Sequence, residues 1–274
     1  MTIGNGKRWR LLGAAMALAF ASSAAESPAE RGKRIVQEAV QALGGDAFLH
    51  MTDRVETGRA YSFYRSEITA LSLARFYTRY TDNPAPGKLA LRERESFLTP
   101  GKTEETSAVL LTENGAWDIT YRGAEPLDDA QYRGFVDSTE HGVLYILRCR
   151  LNEPGLDFYW DSTDVQDNRP VEIVEITDAA GEKITVSFDQ DTKLPLRQVW
   201  RHRNLQFKDF DTETSLYSNY HDAGHGVRLP TIVQRDRNGE KLSAMYADSV
   251  EVDRNPSADL FVLPANVKIL TKKK

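Results

Sequence analysis

From Arg59 onward the chain is a close succession of short runs rich in β-branched and aromatic residues. Examples are "RAYSFYRS" (59–66), "LARFYTRY" (73–80), "TSAVLLTENGAWDITYR" (106–122), "PVEIVEIT" (170–177) and "LPLRQVWRHRN" (194–204). Turn signals separate them, among them Pro100-Gly101, Asn114-Gly115, Ala180-Gly181 and Asn238-Gly239. Parallel strands need crossovers of a dozen or more residues, and most of these gaps hold only a few. The runs therefore predict an antiparallel meander, and the fold class is mainly β with a few helices.

Two stretches break the period of two. In "SPAERGKRIVQEAVQALGG", Ile35, Val36, Ala39, Val40 and Leu43 recur at helical spacing, and Gly44 supplies a stop. This predicts an amphipathic helix over 29–43. In "DDAQYRGFVDSTEHGVLYILRCRLN" the same spacing predicts helices over 128–138 and 141–149. Several strands are apolar on both faces. Leu156, Phe158 and Trp160 point one way and Tyr159 the other, while Leu73 and Tyr77 oppose Phe76 and Tyr80. A sheet buried on one face alternates cleanly, so this one needs cover on both sides. A curved sheet enclosing helices or a ligand satisfies that requirement, and so does a two-sheet sandwich.

Lys7, Arg8 and Arg10 precede the apolar run "LLGAAMALAFASSAA" (11–25), which ends in small residues. This is the pattern of an export signal peptide, expected over 1–25 with cleavage near Ala24 or Ala25. A single domain is expected over 26–274. The formal charge of −5 becomes −8 once three basic residues leave with the leader. An acidic exported chain is poorly suited to nucleic acid, so no nucleic-acid partner is expected. Cys149 is the only cysteine, which excludes an intramolecular disulfide. Its apolar setting in "VLYILRCRLN" reads as a small buried hydrophobe.

Few stretches suggest chemistry. Asp189, Asp191 and Thr192 in "SFDQDTKLP" offer oxygens suited to calcium. The spacing lacks the glycine and distal glutamate of a calcium loop, and Asp or Thr before Leu-Pro also builds an ordinary turn. A turn is expected. His221 and His225 stand four apart, but Gly224 and Gly226 argue for a loop rather than a zinc-binding helix. Asp161, Asp164 and Asp167 read as a solvated loop after a strand. No nucleophile elbow, zinc helix or phosphate loop is present, so no catalytic residue, metal ligand or cofactor is assigned. Bulky aromatics on strands apolar on both sides must pack a core or face a ligand. Phe158, Trp160, Phe188 and Trp200 are the candidates for a hydrophobic cavity beneath the first helix.

A helix ending in "ALGG" (42–45), then "GAWDITYRG" (115–123), "VSFDQDTKLPLRQV" (186–199), "GVRLPTIVQR" (226–235) and "LFVLP" (260–264) together resemble the exported LolA/LolB-like, or outer-membrane lipoprotein-sorting-protein-like, superfamily. The resemblance spans most of 29–264. It implies an incomplete antiparallel β-barrel whose concave side is plugged by helices. It implies a non-catalytic periplasmic carrier or binder of lipid, lipoprotein acyl chains or another hydrophobic ligand, and a monomer. The family's lipoprotein carrier uses a basic residue on its inner wall, and Arg148, Arg197, Arg201 and Arg203 all stay open as its counterpart. The alternative class is an envelope protein-interaction or stress-sensing module with no small-molecule ligand, its hollow filled by its own helices.

Overall fold

The computed structural model describes Met1 and residues 25–271, except 83, 86, 103, 205 and 206. The expected leader lies almost wholly outside the described residues.

Helix α1 spans Pro28–Leu43, within a residue of expectation. Ser27 caps it: its hydroxyl accepts the Glu30 amide at 3.3 Å, and the Glu30 carboxylate accepts the Ser27 amide at 2.9 Å. Pro28 occupies the first turn, where its missing donor costs nothing. All five expected apolar positions, Ile35 to Leu43, are buried. A short helix α2, Asp46–His50, follows; at five residues it is too short to show a helical period in the chain.

Strands β1 (Asp53–Tyr64), β2 (Glu67–Tyr80), β3 (Leu91–Leu98), β4 (Glu105–Thr112), β5 (Gly115–Thr120) and β6 (Gly123–Pro126) run outward from the centre of one sheet. The chain then crosses to the opposite edge. Strands β7 (Asp157–Gln166), β8 (Arg169–Thr177), β9 (Lys183–Asp189), β10 (Pro195–Asn204), β11 (Asp209–Asp222), β12 (Arg228–Arg237) and β13 (Glu240–Val252) return to the centre, where β13 pairs with β1. All thirteen strands form one antiparallel sheet in the order β6-β5-β4-β3-β2-β1-β13-β12-β11-β10-β9-β8-β7, left open between β6 and β7. At the central seam the register slips between Thr57 and Gly58. A Cβ on Gly58 would sit 2.1 Å from the Tyr246 carbonyl oxygen, so only glycine allows this close approach and the bend it makes.

The crossing segment carries α3 (Asp129–Glu140), a turn of α4 (Val143–Tyr145) and a π-helical turn (Ile146–Arg150). The two predicted helices are thus present, the second with its latter part as π-helix. One expectation is corrected. Asp161 and Asp164 lie within β7 rather than in a loop, and only Asp167 sits in the turn, with Asn168, at φ 49° and 61°. β7 is an edge strand paired on one side, so polar residues suit it.

Candidate functional site

Paired residues of an antiparallel sheet share a face. The helices identify which face is concave. Gly32 lets α1 lie directly on β7; a Cβ there would come 2.7 Å from the Phe158 carbonyl oxygen. The apolar face of α1 then packs with Phe48, Ile146 and Leu147 against Phe158, Val174, Ile176, Val186 and Phe188. Across β7 to β10 the concave side is therefore filled by helices.

The aromatics singled out in the sequence all belong to this region. Phe158, Phe188 and Trp200 keep only 7%, 1% and 6% of their surface exposed and lie in the core. Trp160 is half-buried and works as a latch. Its indole nitrogen donates to Glu172 Oε2 at 2.7 Å, Glu172 takes both Arg31 hydrogen bonds at 3.0 Å, and the Arg31 guanidinium stacks 3.9 Å above the indole. This fastens α1 to β7 and β8. Trp200 stacks between His141 and His202, with ring centroids 4.4 and 3.9 Å away.

The expected turn is confirmed. Asp189 Oδ1 accepts from the amides of Asp191 and Thr192 at 3.0 and 2.6 Å and from the Thr192 hydroxyl at 3.0 Å. Asp191 is exposed and takes no part through its side chain. Leu194 and Leu229 of the two Leu-Pro pairs are buried, and the Tyr220 hydroxyl donates to the Pro195 carbonyl at 2.7 Å, tying the two stretches together. His221 ends β11 and His225 stands in a turn at φ 56°.

Across β1 to β5 the concave face is different. The register places Glu95 opposite Phe76 and Phe76 opposite Glu56; beside them run Glu93, Thr78 and Arg54. Phe97, Ala74 and Val109 continue the floor. Phe76, Phe97, Val109, Glu93 and Glu95 are half-buried, while Glu56 is 9% exposed. Arg54 Nε lies 2.8 Å from Glu56 Oε1, and the Thr78 hydroxyl donates to Glu93 at 3.0 Å. Burial, with Glu93 beside it, pushes the Glu95 carboxyl up to about 8, and burial raises that of Glu93 too.

Helix α3 links the end of β4 to β10. None of its residues is buried. It is held at one end by the Tyr132 hydroxyl donating to the Thr112 carbonyl at 2.8 Å. At the other end Gln198 takes the Val143 amide at 2.6 Å and donates to the His141 carbonyl at 2.8 Å. Thr112 ends β4 and Gln198 lies in β10, so α3 is a strap between the two halves of the sheet.

Of the four open arginines, Arg197, Arg201 and Arg203 are exposed and alternate with inward-facing Gln198, Trp200 and His202. Arg148 alone is inward. It donates to the Met51 carbonyl at 2.7 Å and stacks 4.3 Å from the Tyr80 ring. The sequence reading missed Arg54, Glu56, Glu93, Glu95 and Arg235 altogether. A signal existed: "LRERESFL" carries charges at four successive positions, so one charged pair must face inward on a central strand. Burial pushes the Cys149 thiol up to about 11, consistent with the inert reading of that residue.

Two open clefts of about 600 and 530 Å³ lie elsewhere. The first is bounded by Asn219, Thr231, Ser249 and Arg254, the second by Leu49, His50, Arg148 and Cys149. Neither is lined by the four aromatics.

No protein-family profile and no curated protein matches the chain. Solved structures do. An outer membrane lipoprotein-sorting protein domain from Vibrio parahaemolyticus matches with a TM-score of 0.55 at 13% identity, covering 85% of this chain and 97% of that one. A DUF1329 family protein from Desulfovibrio piger matches with a TM-score of 0.58 at 13% identity, covering 86% and 98%. A LolA superfamily protein from Nitrosomonas europaea gives 0.48 at the same identity, covering 84% and 97%. The fold that the sequence motifs implied is the one the chain has: an open antiparallel sheet around helices, shared with the lipoprotein-sorting protein domain.

Proposed function

We propose that this protein is a non-catalytic envelope carrier or binder of a hydrophobic ligand, a lipid or a lipoprotein acyl chain, acting as a monomer in the periplasm after loss of its leader. One observation carries the reading. The concave side of β2 to β4 carries Phe76, Phe97 and Val109 only half-buried, and the helix that links the two halves of the sheet, α3, has no buried residue. An acyl chain lying there leaves water for an apolar floor, at about 0.8 kcal/mol for each methylene buried. The shared fold supports the reading, since one neighbour is described as a lipoprotein-sorting domain.

In this reading Phe158, Phe188 and Trp200 form the wall against which α1 closes, and a ligand reaches them only when the Trp160 latch opens. The test is displacement of a fluorescent fatty acid, with native mass spectrometry of the exported protein. Trp160→Ala is expected to open the latch and raise probe uptake, and Trp200→Ala to lower the melting temperature. A clean apo mass with no probe binding would replace this reading with a protein-interaction module. That second reading is favoured by one observation: helices already fill the concave side of β7 to β10. N-terminal sequencing of the exported chain tests the leader, and cleavage near Ala24 or Ala25 is expected.

A further inference from the structure

The floor of β1 to β5 is not a plain greasy surface. It carries a set of charges that the protein does not satisfy internally. Arg54 is committed to Glu56 at 2.8 Å. Glu93 accepts from the Thr78 hydroxyl at 3.0 Å, and Glu95, two residues on along the same inward face of β3, lies beside it. Neither Glu93 nor Glu95 has an ion-pair partner among the described residues. From the other side Arg235 of β12 faces inward in the row of Ser215 and Ser243. It lies close enough to favour ionisation of both carboxyls, yet makes no ion pair among the described residues.

We propose that this floor is a headgroup site, and that the ligand is a single-chain amphiphile with a zwitterionic head. Its primary ammonium seats on Glu93 and Glu95, its anionic group meets Arg235, and its acyl chain follows Phe76 and Phe97. The proposal rests on the ligand-carrying reading above and deepens it.

Charge decides between the possible heads. A desolvated carboxyl pair holding a proton is a place where positive charge is missing. An ammonium supplies it with up to three donors. A metal ion fits poorly, because among the described residues no three carboxylates or histidines converge on one point. A purely cationic head gains nothing from Arg235, and a purely anionic head meets Glu93 and Glu95. Guanidinium pairs well with phosphate or carboxylate. Binding is an exchange: the ammonium arrives with its charge, Glu95 ionises, and its proton passes to the buffer. The other titratable or charged groups on this concave side include Glu56 and Arg54 of β1, Tyr80 of β2, Asp118 of β5 with Glu125 of β6 opposite it, Tyr217 and Glu213 of β11, Arg237 of β12 and Arg148 of the π-helical turn.

Titration calorimetry at pH 7 tests it with 1-lauroyl-lysophosphatidylethanolamine, 1-lauroyl-lysophosphatidylglycerol and laurate, each in two buffers of different ionisation enthalpy. The ethanolamine lipid is expected to bind about tenfold tighter than the glycerol lipid and to release a proton. Glu95→Gln is expected to lose both the preference and the proton release, binding the ethanolamine lipid no tighter than the glycerol lipid. Should that variant fail to fold, the unmodified protein at pH 9 serves instead: preference kept, proton release gone. Laurate binding with no headgroup preference and no proton release overturns this inference and leaves the carrier reading standing. Failure of all three amphiphiles to bind overturns both.

Discussion

The two halves of the concave face are built from the same kind of strand and end in opposite states. Across β7 to β10 the inward residues include Phe158, Val174, Ile176, Ile184, Val186, Phe188 and Trp200, packed in one core with α1. Across β1 to β3 the inward residues include Arg54, Glu56, Glu93 and Glu95, and strap α3 has no buried residue. Packing density, not strand geometry, separates them. Desolvated apolar surface stabilises one half, while the other keeps desolvated charge that costs stability unless something meets it. A sheet that is core on one side of its seam and receptor on the other needs only a change in inward residues.

The sharpest way to break this comparison is to truncate one aromatic in each half. Phe188→Ala removes a fully buried ring and is expected to cost about 3–5 kcal/mol, a fall on the order of 10 °C in melting temperature for a chain of this size. Phe76→Ala is expected to cost less than half as much, because its ring is only half-buried. Equal losses in thermal unfolding would show that both halves are packed cores.

Next in size is the strap anchor. Gln198→Ala leaves the Val143 amide and the His141 carbonyl without their partner. The expected cost is about 1–3 kcal/mol, with faster hydrogen exchange over residues 129–145. Unchanged exchange there would mean that α3 is held by something other than Gln198.

A pH effect sharpens the contrast further. The Glu95 carboxyl is pushed from 4.5 up to about 8, so the folded protein binds the proton more tightly than the unfolded chain does. Its contribution is fully present below about pH 4.5 and is lost as the pH rises through about 8. The difference in stability between the unmodified protein and Glu95→Gln is therefore expected to shift in favour of the variant across that window. A flat difference in denaturant unfolding from pH 5 to pH 9 would show that Glu95 is open to water.

The smallest effects belong to the turn after β9. Asp189→Ala removes three hydrogen bonds and is expected to cost about 1 kcal/mol or somewhat more. Asp191→Ala is expected to change stability by less than about 0.5 kcal/mol. Reversal of that order would move the capping role to Asp191.

Local chemistry was readable in the chain. Helix α1 was, because five apolar residues at one spacing have no other use, and the meander was, because glycine and asparagine punctuate it. The Asp189 turn was legible for the same reason. The Asp161 and Asp164 segment misled, since acidity marks an edge strand as well as a loop. The headgroup floor was only half legible. The run from Arg92 to Glu95 announces inward charge on a central strand, but nothing local says that Arg54 and Arg235, 181 residues apart, face the same hollow. That knowledge comes from register, and register comes from the whole sheet.

The order of the strands also governs how the molecule comes to exist. The first strand finds one of its two neighbours only when the last arrives, because β1, ending at Tyr64, pairs with β13, beginning at Glu240, across 175 residues of intervening sequence. Such a closure is slow, since a long loop must be ordered before the contact rewards it. Until Glu240–Val252 has emerged, β1 and β12 each present a bare edge able to recruit a foreign strand. A chain of this design is thus vulnerable to aggregation until its last strand has docked, and secure once it has.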